Sequence, residues 1–169
     1  MRKSTRAMGA LLGAAVLAVS PVPAAAQSYS ASRVISYFSP DDLRAVLGEL
    51  DATMEQSSDE EDRYLIKFSN GTASSVFFRV CSSSGCRGLN FLASFAKPSD
   101  KTSEATSKLV HDYNETWSAA KAYPKSDGGA YVQHYVISDG GITMDNLRAQ
   151  VNIYSSMLQK MRETIYTDG

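Results

Sequence analysis

VFFRVCSSSGCRGLNFLASF, residues 76–95, consists of two runs rich in aromatic and β-branched residues that are joined by SSSG. Such runs, bounded by Ser and Gly, predict a β-hairpin. If Cys81 lies opposite Cys86, strand alternation sorts the side chains onto two faces. The first face carries Val76, Phe78, Val80, Leu89, Phe91, Ala93 and Phe95, with Arg87. The second face carries Phe77, Arg79, Cys81, Cys86, Gly88, Asn90, Leu92 and Ser94.

The two faces predict different environments. The first face is almost wholly apolar, so we expect helices to cover it. The second face is mixed, so we expect it to be open to water or to a partner. Candidate interaction residues are therefore those that lie away from the expected core: Phe77, Arg79, Asn90 and Leu92.

Cys81 and Cys86 lie where the two predicted strands meet. Directly opposed residues of antiparallel strands have Cα atoms about 4.5–5.5 Å apart, a distance that a disulfide can span. The spacing is not the C-x-x-C of thioredoxin-like redox sites. A zinc site would need four ligands, for which only His111 and His134 could be added. We therefore predict a structural disulfide, and no metal or cofactor.

The first 26 residues have the pattern of an export signal. Arg2, Lys3 and Arg6 precede an uncharged apolar run at residues 8–19, and the small residues that end at Ala26 suit signal peptidase. The run has 12 residues, whereas a membrane span takes about 20. We predict cleavage after Ala26 and a periplasmic or secreted mature protein.

The composition of the remaining chain limits its partners. The predicted signal holds three of the 17 basic residues and none of the 18 acidic ones, so the mature chain carries 14 against 18 and a net charge of −4. A mildly acidic protein lacks the positive surface that nucleic acid requires. No later segment is long and apolar enough to span a membrane.

The order of elements predicts an α+β fold. Ser39-Pro40 begins an amphipathic helix, strand patterns follow from about Thr53, a second helix precedes a further strand pair, and Thr143 caps a long final helix. The expected order is α-β-β-β-α-β-β-α, with an antiparallel sheet of about five strands and the helices on one side. The seam of the final helix also suits a homodimer contact, although such a stripe is usually a helix's own core face.

These segments resemble the bacterial YbjN-domain family, whose members are described as sensory transduction regulators. The resemblance spans residues 39–165 and rests on SPDDLRAVLGEL, SVFFRV, CRGLNFLASF, NETWSAAKAYPKSDGGAYVQHYVI and SDGGITMDNLRAQVNIYSSML. It implies a fold similar to type III secretion chaperones and a non-catalytic regulatory or protein-binding role. It supplies no catalytic residues. We divide the chain into a signal peptide at 1–26, an N-terminal leader at 27–38 and a YbjN-like domain at 39–166.

Candidate catalytic chemistry is sparse. The sequence has no G-x-S-x-G, H-E-x-x-H or P-loop motif. The acidic run at residues 59–62 lacks the spacing of an EF-hand loop. We therefore expect an exported non-catalytic module that binds an unknown protein or peptide. The alternatives are a small periplasmic hydrolase that uses His111 or His134, and a protein that sequesters an apolar ligand between sheet and helices.

Overall fold

The computed structural model describes residues 28–167. The predicted signal peptide and its cleavage site at Ala26 lie outside these residues. The described chain forms three helices, α1 Pro40–Gly48, α2 Ser103–Thr116 and α3 Met144–Tyr166. It also forms eight strands: β1 Val34–Ile35, β2 Thr53–Gln56, β3 Arg63–Lys67, β4 Ala73–Ser82, β5 Gly85–Phe95, β6 Lys121–Pro124, β7 Ala130–Ile137 and β8 Ile142–Thr143.

Six of the strands form one antiparallel sheet in the order β2-β3-β4-β5-β7-β6. The α+β class and its antiparallel sheet are confirmed. The sheet has one strand more than the expected five, because β2 pairs with β3 at the edge. Its sequence TMEQ has little of the apolar alternation that marks a strand. A two-stranded ladder of β1 and β8 lies apart from this sheet.

The helices begin at the residues that the sequence indicates. Ser39 accepts a hydrogen bond from the Asp42 amide, with Pro40 in the first turn. Thr143 caps α3 in the same way, by accepting from the Asn146 amide. A capping side chain satisfies a backbone N–H that the helix itself cannot pair.

The core lies between one sheet face and the helices. The long seam of α3 is fully buried within this core, at Leu147, Val151, Tyr154, Leu158, Met161 and Ile165. It is the helix's own packing face and is not available to a second copy of the chain. Tyr154 contacts the sheet directly, since its ring centre lies 5.4 Å from that of Phe91.

The segment before α1 is packed onto the rest of the fold. β1 pairs with β8, and Phe38 is 2% exposed. Tyr29 Oη donates to Asp145 at the start of α3. Packing therefore begins before Ser39. Within residues 28–167, no helix combines the length and apolarity needed to cross a bilayer.

Candidate functional site

The four candidate interaction residues lie together on the sheet face that the described helices leave open. In the β4–β5 ladder, Phe77 is paired with Asn90 and Ser75 with Leu92. Phe77, Arg79, Asn90 and Leu92 are each half-buried. Two strands thus bring an aromatic, a cationic, an amide and an aliphatic side chain onto one surface. Their role in binding stays a prediction.

Two guanidinium groups flank the ring of Phe77. The Arg79 guanidinium carbon lies 4.7 Å from the ring centre, and that of Arg63 lies 6.0 Å from it. Arg79 also forms an ion pair with Asp62, and Arg63 Nε donates to Ser75 Oγ over 3.1 Å. Cations at these distances are attracted by the ring quadrupole. They hold the Phe77 side chain in a basic environment.

The strands of this sheet are basic, although residues 27–169 as a whole carry 18 acidic residues against 14 basic ones. Among their charged residues one is acidic, Glu55, and five are basic: Arg63, Lys67, Arg79, Arg87 and Lys121. Two of the five are ion-paired, Arg79 with Asp62 and Arg87 with Asp139. The open face therefore keeps an excess of positive charge.

Two shallow depressions of about 240 Å³ each lie on the open face of the described sheet. One is lined by Leu65, Ser75 and Leu92, among others. The other is lined by Val80, Tyr135 and Ile137 together with the Arg87–Asp139 ion pair. Both are smaller than the roughly 300–1,000 Å³ of small-molecule pockets. Their size suits single side chains of a larger partner.

The backbone at Val80 reverses the two faces near the end of the hairpin. Val80 has φ +55° and is 62% exposed, a conformation that is rare for a β-branched residue. Val80 and Arg87 therefore line a depression on the open face, whereas Cys81 and Cys86 line a cleft on the helix side. The expected positions of these four residues were wrong, because strict alternation assumes a continuous extended strand.

Cys81 and Cys86 are joined by a disulfide with an S–S distance of 2.05 Å. Their backbones are also paired in the ladder. Phe38, just before α1, forms an antiparallel bridge to Cys86: its N–H donates to Cys86 O over 2.6 Å, and Cys86 N–H donates to Phe38 O over 3.4 Å. The disulfide thus closes the hairpin at the point where the segment entering α1 is attached.

A cleft of about 540 Å³ lies between this hairpin end and the start of α1. Its volume is in the range of natural ligand sites. Two of its aromatic side chains, Tyr64 and Phe78, pack edge to face with ring centres 5.5 Å apart. The lining residues are mostly apolar: Phe38, Ser39, Pro40, Glu61, Asp62, Tyr64, Phe78, Cys81, Gly85 and Cys86.

The acidic run at residues 59–62 connects β2 to β3 beside this cleft. All four side chains are exposed, and Glu61 and Asp62 line the cleft. Among residues 28–167, no three His, Cys, Asp or Glu side chains are grouped so that they could hold a metal ion. The run therefore contributes negative charge to one side of the cleft.

The two histidines lie away from the cleft. His111 Nε2 is 3.2 Å from Glu115 Oε1 on the exposed side of α2. His134 Nε2 is hydrogen-bonded to Gln150 Oε1 over 2.9 Å, and its ring stacks on Tyr154. Neither arrangement is the Ser–His pair of a hydrolase.

The cleft is not evident from the sequence. Its walls come from the segment before α1, from the β2–β3 turn and from three strands. The one local signal was Phe38, an apolar residue directly before a helix cap, which we would expect to pack inward. Nothing in the sequence near Val80 indicates the backbone conformation that turns the cysteines toward the cleft.

Comparison with known proteins agrees with the fold. Residues 39–167 match a family designated YbjN and described as "Putative bacterial sensory transduction regulator". A crystal structure described as "YbjN, a putative transcription regulator from E. coli" superposes with a TM-score of 0.56 at 13% identity, covering 76% of this chain and 91% of that one. At this identity the superposition shows a shared fold. No curated protein is significantly similar to the chain in sequence.

Proposed function

Because the chain belongs to the YbjN family, we propose that it is an exported, non-catalytic regulatory module that binds a protein or peptide on the open face of its sheet. The family description supports a regulatory role, and fold alone does not specify a task. The observation that carries the proposal is the uncovered sheet face, on which Phe77 and Leu92 remain half-buried. A partner would complete the burial of these side chains.

Export is supported by the sequence before the described residues and by the cysteine pair. The basic residues, the apolar run at 8–19 and Ala26 have the order of a signal peptide. A disulfide persists in an oxidising compartment and is rare in the bacterial cytoplasm. Cell fractionation with intact-mass measurement tests this part, with a mature chain that begins at Gln27 as the expected result. A cytoplasmic full-length chain with two free thiols would contradict it.

The binding face is tested by affinity capture from a periplasmic extract. Tagged mature protein should recover a partner that Phe77→Ala plus Leu92→Ala loses, because the two truncations remove the apolar contacts of the open face. Ile153→Ala is the matched control, since Ile153 is 42% exposed on α3. Equal recovery by all three proteins would refute the assignment of this face.

The cleft beside the disulfide does not favour the sequestration alternative. A protein that carries an apolar molecule encloses most of it, whereas this cleft is open to solvent and includes two exposed carboxylates, Glu61 and Asp62. An open, partly acidic cleft is better suited to a side chain that projects from a larger partner.

A further inference from the structure

We propose that the cleft beside the Cys81–Cys86 disulfide binds a peptide segment in which an apolar side chain adjoins basic ones. This inference rests on the proposed protein- or peptide-binding role. It adds a second surface to that role and names the chemistry of its occupant.

The lining of the cleft is mostly apolar. Phe38, Tyr64 and Phe78 and the two disulfide-bonded cysteines are among the residues that line it. The three rings are each less than 10% exposed, so packing against the core holds them in place. A preorganised wall loses little side-chain entropy when a ligand binds. Its volume of about 540 Å³ exceeds what one large side chain fills, so flanking residues of the peptide would enter as well.

The charge around the cleft determines which flanking residues fit. Glu61 and Asp62 line it, and exposed Asp59 and Glu60 immediately precede them. No Lys or Arg is among the residues that line the cleft in the described chain. A lysine or arginine next to the anchoring side chain would therefore meet an acidic surface, and a glutamate would be repelled.

Two basic groups beside the cleft, Arg44 and Arg79, are ion-paired with acidic residues. Arg44 lies 5.9 Å from the ring centre of Tyr64 but is ion-paired with Asp41. Arg79 is ion-paired with Asp62. The Glu61 carboxylate has no ion pair among residues 28–167. Arg79 balances the charge of Asp62 in their ion pair, so the negative charge of the lining that remains available to a cationic peptide is that of Glu61.

The open sheet face has the opposite sign, and this allows the two surfaces to be distinguished. Its strands carry five basic residues and one acidic residue. A basic peptide should select the cleft, whereas an acidic peptide with the same anchor should select the open face. Peptide charge therefore reports which surface is bound.

The test is a titration of ¹⁵N-labelled mature protein with two blocked tripeptides, acetyl-Lys-Phe-Lys-amide and acetyl-Glu-Phe-Glu-amide. We expect the basic peptide to shift the amide signals of Phe38, Tyr64 and Cys86 saturably. The acidic peptide should bind these positions about tenfold more weakly, because two attractive charges become repulsive.

Two charge-reversed variants provide the matched comparison. Glu61→Lys changes a residue that lines the cleft, whereas Glu60→Lys changes the net charge equally one position away. Glu61→Lys should weaken binding of the basic peptide about fivefold, and Glu60→Lys by less than about twofold. Both residues are exposed, so both variants should fold.

Three results would overturn the inference: no saturable shift at the cleft signals, equal binding of the two peptides there, or equal weakening by the two variants. Shifts confined to Asn90 and Leu92 would also overturn it, while leaving the proposed function of the open face intact. A different outcome would be peptide binding at the cleft together with equal partner recovery by the unsubstituted protein and the Phe77→Ala plus Leu92→Ala variant. It would support the cleft as a binding site and refute the open face as one.

Discussion

At the residue scale, Val80 is the position where local preference and tertiary structure disagree most. A β-branched side chain favours extended backbone, yet Val80 has φ +55° and exposes 62% of its surface. Its ladder neighbours keep their register, with Arg79 opposite Gly88 and Cys81 opposite Cys86. The strained conformation persists because the pairing on both sides of it is retained.

Replacing Val80 by Gly should raise the free energy of unfolding by about 1 kcal/mol, because Gly adopts positive φ without a steric penalty. Ile137→Gly is the control, since Ile137 lines the same depression and is 58% exposed but does not have positive φ. We expect it to lower the free energy of unfolding by about 1 kcal/mol. Urea denaturation measures both, and a loss of stability in Val80→Gly would contradict the interpretation.

A second residue-scale prediction compares two glycines. A Cβ atom at Gly129 would lie 2.3 Å from the Phe95 carbonyl oxygen, a backbone atom that cannot easily move. At Gly88 it would meet the Tyr135 hydroxyl at 2.1 Å, and Tyr135 is 44% exposed and can turn away. Gly129→Ala should therefore lower the free energy of unfolding by more than about 2 kcal/mol, and Gly88→Ala should lower it by less than about 1 kcal/mol. Similar denaturant midpoints for the two variants would show that the Gly129 contact relaxes.

At the element scale, the β4–β5 hairpin joins the fold and both candidate surfaces. Its first part alternates as expected, with Val76, Phe78 and Leu89 in the core. Beyond Val80 its faces exchange, so the same two strands contribute Leu92 to the open face and Cys86 to the cleft. One supersecondary unit therefore connects the two surfaces.

The disulfide should stabilise this hairpin by about 2 kcal/mol, since it closes a loop with a sequence separation of 5. In urea denaturation, the free energy of unfolding of the Cys81→Ser plus Cys86→Ser variant should be lower by about this amount. Reductant should lower the stability of the unsubstituted protein similarly and leave the double variant unchanged. A reductant effect on the double variant would show that the change does not come from the disulfide.

At the scale of the whole molecule, the core between sheet and helices includes the hydroxyl groups of Tyr113 and Tyr154. Tyr113 Oη donates to the Met157 carbonyl over 3.2 Å, and Tyr154 Oη donates to the Val132 carbonyl over 3.2 Å. Burial raises the pKa of Tyr113 to about 12 from its ordinary 10.0, and burial also raises the pKa of Tyr154. The folded state therefore favours the protonated form of both phenols.

Stability should therefore fall as the pH rises above about 10. Between pH 10 and 12 the unfolded chain releases the Tyr113 proton and the folded chain retains it, so Tyr113 alone lowers the free energy of unfolding by up to about 1.4 kcal/mol per pH unit. Tyr154 adds to this decline, because burial raises its pKa as well. Tyr113→Phe should lower the free energy of unfolding by about 1 kcal/mol at pH 8, because it removes the hydrogen bond to the Met157 carbonyl. Above pH 10, the free energy of unfolding of this variant should fall less steeply than that of the unsubstituted protein. Unfolding curves at pH 8 to 11.5 measure both, and identical slopes would contradict the prediction.

The local pattern of the sequence was sufficient to predict the α+β class, the Cys81–Cys86 register and the caps at Ser39 and Thr143. Strand period and helix capping depend on neighbouring residues, so a sequence window contains the necessary information. The buried seam of α3 follows from its spacing for the same reason. The edge strand β2 was less evident, because an exposed edge requires little apolar alternation.

The side on which the cysteines lie, and the cleft that they line, depended on tertiary structure. Val80 carries no local signal for positive φ, and its conformation follows from the pairing around it. The bridge from Phe38 to Cys86 joins residues 48 positions apart, beyond the reach of any periodic pattern. Local propensities act over one turn or one strand, whereas a cleft arises only when distant segments pack, and this is why the sequence indicated the hairpin but not the surface that its closed end forms.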